Sequence, residues 1–205
     1  MSLRRIGLYG GILGPILWLG VIAAAGALRP DFSHVSDYIS ELGERGSRTE
    51  ALVRLGGFGL TGLLYLSFAA ALAVTLNGGR LARIAAALIA LEGLGRIGAG
   101  VFPCDPGCAP PSENPNLHTL FATIGFISGI LATFLWGWLF RRLHRLRRLA
   151  AFSLCSGAVA LVSLSIMTAA PRPTLPAGLL EHLATVSLSL WLLVVAARVL
   201  WLERE

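Results

Sequence analysis

The chain has 205 residues, 55% of them hydrophobic and only 14% charged, where soluble domains carry roughly 25% charged residues. That composition excludes a soluble core. The net charge of +6 would suggest a nucleic-acid partner in a soluble protein, but here the basic residues cluster at the ends of apolar runs and read as membrane topology; no nucleic acid is expected as a partner.

Apolar runs of about 20 residues, the length that crosses a hydrocarbon core about 30 Å thick, recur at residues 6–28, 55–76, 81–102, 117–140, 149–170 and 176–202. The expected fold class is all-α: one polytopic membrane domain over residues 1–205, a six-transmembrane-helix bundle. The first run follows Arg4 and Arg5 and ends in Ala23-Ala24-Ala25-Gly26-Ala27, as a signal peptide would. Signal h-regions span about 7–15 residues, however, so this longer run is read as a retained first span.

The dense polar segment from Asp31 to Gly43 separates the first two runs. Read as a short amphipathic helix in the first outer loop, it aligns Val35, Tyr38, Ile39 and Leu42 in an apolar stripe, with His34, Asp37 and Glu41 on an adjacent face. Ser33 reads as its N-cap and Gly43 as its end. The second and third spans join through Asn77-Gly78-Gly79-Arg80. The third carries Glu92 and Arg96, one turn apart with the carboxylate on the N-terminal side, a spacing suited to an ion pair and unusual in a membrane span. Phe102-Pro103-Cys104-Asp105-Pro106-Gly107-Cys108 follows; a turn built on Asp-Pro-Gly brings its flanking residues within bridging distance, so a Cys104–Cys108 disulfide is expected in an oxidising compartment.

His118 opens the fourth span. Trp136 and Trp138 precede Arg141-Arg142-Leu143-His144-Arg145-Leu146-Arg147-Arg148 and, with Trp201, read as interfacial belt residues. Cys155 in the fifth span reads as a small apolar filler. A stiff connection, Pro171-Arg172-Pro173-Thr174-Leu175-Pro176, leads to the sixth span, which carries Glu181 and His182 in its first turns. Small residues recur in the spans, among them Gly10, Gly14, Gly62, Gly93, Gly95 and Gly125. They suit close helix packing within the bundle or between copies.

There is no lysine, and all 17 basic residues are arginine. In a six-span arrangement eleven of them fall on one side and five on the other, with Arg96 inside a span. The positive-inside rule puts both termini in the cytoplasm and the chain in the cytoplasmic membrane. The longer connections, roughly 29–54, 103–116 and 171–175, then face outward. His34, Asp37, Glu41, Asp105, His118 and His182 all belong to that outer half.

Two kinds of chemistry follow from this coincidence. One is a polar pocket, opening outward and built from Asp37, Ser40, Glu41, Glu92, Arg96, Asp105, His118 and His182, that takes membrane lipids or a small amphiphile. The other is a divalent metal such as zinc held by His118, His182 and a carboxylate, Asp37 foremost, with an open position for a water that attacks a lipid ester or amide. No HExxH motif supports the metal, and no Gly-x-Ser-x-Gly elbow makes Ser33, Ser36 or Ser40 a hydrolase nucleophile. A small-solute transporter is less favoured, because no repeat relates the two halves.

Ile39-Ser40-Glu41-Leu42-Gly43 after the first span, Phe102-Pro103-x-Asp105 ending the third and Leu117-His118 opening the fourth resemble the prokaryotic six-helix membrane family known as domain of unknown function 998. A weaker similarity reaches the eukaryotic damage-regulated autophagy modulator group, whose first outer loop carries an Ile-Ser-Asp-Thr-Gly-like motif. That resemblance implies a six-helix fold and a link to lipid organisation. It singles out Ser40, Glu41, Asp105 and His118; the cysteine pair lies outside the pattern.

Overall fold

The computed structural model describes residues 2–76, 79–108, 117–169 and 174–204. Its six long helices are α1 (Leu3–Ala27), α2 (Leu52–Thr75), α3 (Gly79–Val101), α4 (Leu117–Phe140), α5 (Leu149–Ala169) and α6 (Ala177–Leu202), each long and apolar enough to cross a membrane. No strand occurs among the described residues. Ser2 starts α1 by accepting from the Arg5 amide, one of the four amides that a helix start leaves unpaired. Residues 77–78, 109–116 and 170–173, with Arg172 and most of the proline-rich connection, lie outside the described residues.

The helices pack in chain order, each on its neighbour, and α6 closes the ring on α1. An ion pair between Arg4 and Glu203 at 2.9 Å ties the two chain ends together. Close approach in this ring depends on glycine. A Cβ on Gly62 would stand 2.5 Å from the Gly93 carbonyl, and one on Gly95 would stand 2.6 Å from the Gly125 Cα. The glycines of α2, α3 and α4 therefore serve packing inside the bundle, and they bring α3 against both neighbours.

Two ends of the ring differ in chemistry. At the arginine end, where α1, α3 and α5 begin, Tyr65, Phe68, Leu72, Ile89, Trp136, Phe140, Trp191 and Leu192 fill the interior. The expectation that Trp136 sits in an interfacial belt is corrected here: it is fully buried, because its helical position turns it inward, while Trp138 faces out and stacks under Arg142 at 3.9 Å. Trp201 is exposed beneath Arg198 at 4.1 Å, as a belt residue is. Cys155 is also corrected: it lies exposed on the outer face of α5 and fills no gap in the core.

At the disulfide end, residues 28–51 fold over the ring as a lid. Between residues 28 and 49 only Ile39–Gly43 is helical, a single 3-10 turn with Ile39 and Leu42 buried. Val35 is exposed, so the longer stripe does not form. Local hydrogen bonds compete with the helix. Ser33 Oγ accepts from the Val35 and Ser36 amides at 3.3 Å each, which makes Ser33 the pivot of a turn and not a helix cap. The Asp37 carboxylate accepts from the Ser33 amide at 2.8 Å, and the Glu41 carboxylate accepts from the Tyr38 amide at 3.0 Å.

α2 starts with a π-helical stretch, Leu52–Leu60. This wide turn, rich in Gly56, Gly57 and Gly59, sets Phe58 against Trp18 with ring centroids 5.3 Å apart. Together they wall one side of an internal space.

Candidate functional site: a cavity at the disulfide end

A second hydrophobic cluster, with Trp18, Ile22, Ile39, Leu42, Val53 and Phe58, packs the disulfide end. Beside it a small cavity of about 40 Å³ is left inside the ring, partly open to the outside. α3 supplies Glu92, Gly95, Arg96 and Ala99, α4 supplies His118, and the lid supplies Ser40. Counting from Val101 at about 1.5 Å per residue, Arg96 lies roughly 8 Å and Glu92 roughly 14 Å below the disulfide end.

Arg96 is the centre of the site. Its guanidinium lies between two aromatic faces, 4.5 Å from the Trp18 ring centroid and 4.9 Å from that of Tyr65. Cation–π contact stabilises a desolvated cation, but it does not satisfy N–H donors. The expected i,i+4 pair with Glu92 is present and loose, Nη2 to Oε1 3.7 Å. Arg96 Nε and Glu92 Oε1 are both buried without a hydrogen-bond partner. The two residues are 8% and 3% exposed, so bulk water does not complete them.

His118 is held by its backbone surroundings. Its Nδ1 lies 3.0 Å from the Ala99 carbonyl and 3.1 Å from that of Phe102. Carbonyl oxygens only accept, so Nδ1 carries a proton and Nε2 is the nitrogen available to the cavity. Glu181, on α6, accepts from the Ile39 amide at 2.7 Å and so hangs the lid turn from the helix. Tyr65 reaches across the bundle floor to Ser189 at 3.3 Å.

The disulfide braces the same turn. Cys104 and Cys108 are bonded, with Cα atoms 5.0 Å apart; Ser40 Oγ lies 3.3 Å from Cys108 Sγ, and the Arg45 amide donates to the Cys104 carbonyl at 2.9 Å. Glu44 adds a second clasp, accepting from the Gly107 amide at 2.6 Å and from Arg29 at 3.1 Å. Arg29 also pairs with Asp31 at 3.0 Å, which lowers the Asp31 carboxyl below its usual range. Changing both cysteines to serine is expected to lower stability by about 2 kcal/mol, the loop-entropy value for so short a ring. Thermal unfolding of the oxidised protein against the double variant measures this, and equal midpoints would remove the bridge from the account.

Of the residues predicted for the site, Ser40, Glu92, Arg96 and His118 line the cavity. Asp37 and Glu41 are spent on the turns described above. Asp105 pairs with Arg45 at 3.3 Å on the exposed surface. His182 points outward, its Nε2 2.9 Å from Nδ1 of His34. His118, His182 and Asp37 therefore do not meet, and no group of three potential metal ligands is found among the described residues. Glu181, Thr185 and Trp18, which also line the cavity, escaped the sequence reading. The signal for the first two was Glu181 and Thr185 at i,i+4: they share a helix face from which His182, one residue on, is rotated by about 100°.

A family model described as a protein of unknown function (DUF998) matches residues 12–198. No curated protein and no solved structure matches the chain.

Proposed function

The chain belongs to the DUF998 family, whose function is unknown, and from its own cavity we propose that it binds a membrane lipid or similar amphiphile, with the polar head on Arg96. Arg96 carries the reading. A guanidinium offers five donors, and here it is buried with a loose ion pair and an unpartnered Nε. Leaving such donors unmet is costly, and a phosphate or carboxylate head would meet them in the fork geometry that Arg favours.

The mouth of the cavity supports an amphiphile over a soluble solute. Its half-buried lining residues are Ser40, Ala122, Phe126 and Glu181, while the others are buried. Three of these four lie on α4 and α6, which touch each other only lightly. No described residue of α5 lines the cavity, and Ser165, Ile166, Thr168 and Ala169 at its last turn are exposed. At about 1.5 Å per residue, Ala122 and Phe126 sit roughly 8 and 14 Å from the start of α4. That is within one leaflet of a hydrocarbon core about 30 Å thick. A head on Arg96 can therefore leave its chain in lipid between α4 and α6. The arginine distribution orients both termini to the cytoplasm and the cavity to the outer leaflet of the cytoplasmic membrane.

Native mass spectrometry of protein extracted in mild detergent tests the reading. Wild type is expected to retain lipid, and Arg96→Ala to lose at least about 10-fold in occupancy, the scale of one hydrogen bond to a charged group. His182→Ala, outside the cavity, should retain it. Equal occupancy in wild type and Arg96→Ala would overturn the assignment.

A further inference from the structure

Resting on the lipid reading above, we infer that the head is zwitterionic, an anionic phosphate joined to a primary ammonium, with the phosphate on Arg96 and the ammonium on Glu92. Two buried side chains of opposite charge on one wall of the cavity motivate this, each with an atom that lacks a hydrogen-bond partner. Arg96 Nε is a buried donor without an acceptor, and Glu92 Oε1 is a buried acceptor without a donor. A purely anionic group answers only the first. It also adds negative charge to a cavity whose charged lining residues are one guanidinium, Arg96, and two carboxylates, Glu92 and Glu181. A zwitterion answers both side chains and adds no net charge.

The geometry fits the short span of such a head. Arg96 and Glu92 are neighbours on one face of α3, their charged ends 3.7 Å apart, and Arg96 lies nearer the disulfide end. The arrangement distinguishes ammonium from quaternary nitrogen. A carboxylate oxygen facing an N–H forms a charge-assisted hydrogen bond, whereas a trimethylated nitrogen has no hydrogen to give. The two aromatic faces that could hold a quaternary nitrogen, Trp18 and Tyr65, are already occupied by Arg96.

The test combines a series of lipid head groups with one substitution. The full chain in detergent is incubated with mixed micelles holding equal amounts of dioleoyl phosphatidylethanolamine, its N-methyl and N,N-dimethyl derivatives, phosphatidylcholine and phosphatidylglycerol. Bound species are read by native mass spectrometry. Phosphatidylethanolamine should exceed phosphatidylcholine by about 10-fold or more, one charge-assisted hydrogen bond, with the sharpest drop on adding the last methyl group. It should also exceed phosphatidylglycerol. Glu92→Gln, which preserves the side chain's shape, should bring the first two to within about 3-fold of each other while total lipid bound persists.

If all five lipids bind equally, the ammonium inference is overturned and the lipid reading stands. Preference for phosphatidylglycerol would make the head anionic and likewise overturn it. Binding of none overturns both. Glycerophosphoethanolamine is added as a chain-free competitor. Displacement of lipid at equal concentration would move the site to a soluble zwitterion and overturn the lipid source.

Discussion

Arg96→Met is expected to destabilise the protein by about 3–5 kcal/mol, the effect of stripping one partner from a buried ion pair. The substitution leaves a carboxylate 3% exposed with no cation beside it and removes the guanidinium from between Trp18 and Tyr65. Glu92→Met alone leaves the cation with its two aromatic faces, so its expected effect is smaller. The double variant should be more stable than the sum of the two, with a coupling on the order of 1–3 kcal/mol. Reversible unfolding in mixed detergent micelles, applied to all four proteins, measures the cycle. Additivity to within about 0.5 kcal/mol would mean that the two side chains do not act on each other, and the cavity would lose its charged centre.

The second large effect concerns backbone packing. A Cβ at Gly95 would stand 2.6 Å from both the Cα and the amide nitrogen of Gly125, and 2.7 Å from the Phe121 carbonyl. All three are backbone atoms, so α3 and α4 must separate to admit it. Alanine is the better helix former by about 1 kcal/mol, yet Gly95→Ala is expected to lose about 1–3 kcal/mol as an overpacked contact, and Gly95→Leu to prevent assembly of the bundle. Gly20 is the internal contrast. It lies in α1 and an added Cβ there meets nothing within 4 Å, so Gly20→Ala should be neutral or stabilising by up to about 1 kcal/mol. Parallel thermal unfolding decides between the two. Similar behaviour at both positions would show that α3 and α4 are not in backbone contact.

The separation of the two halves of the predicted site has a physical cause. Asp37, Glu41 and Asp105 are short carboxylates in loops, where backbone amides and Arg45 compete for them. Glu92 and Arg96 sit within a span, where no such partners are offered, and what they face is decided by the neighbouring helices. His118 falls between these cases. It is the second residue of α4, and two carbonyls at the end of α3 fix its ring. Glu181 and His182 are adjacent in sequence, yet only Glu181 lines the cavity. On a helix, adjacent residues point about 100° apart.

Sequence alone determined the number of helices, their approximate limits, the likeness to a six-helix family, the cysteine pair and the Glu92–Arg96 spacing. These are local properties: apolar length, turn chemistry and i,i+4 neighbours need no knowledge of the rest of the chain. Tertiary structure decided what those residues face. Ring closure of α6 on α1, backbone contact at Gly62–Gly93 and Gly95–Gly125, and the lid turn hung from Glu181 are relations between distant segments. They set Arg96 between Trp18 and Tyr65, and they leave its Nε and Glu92 Oε1 without partners. In a span that is hydrophobic nearly all round, periodicity carries little information about which face turns inward. Steric fit between helices carries it instead.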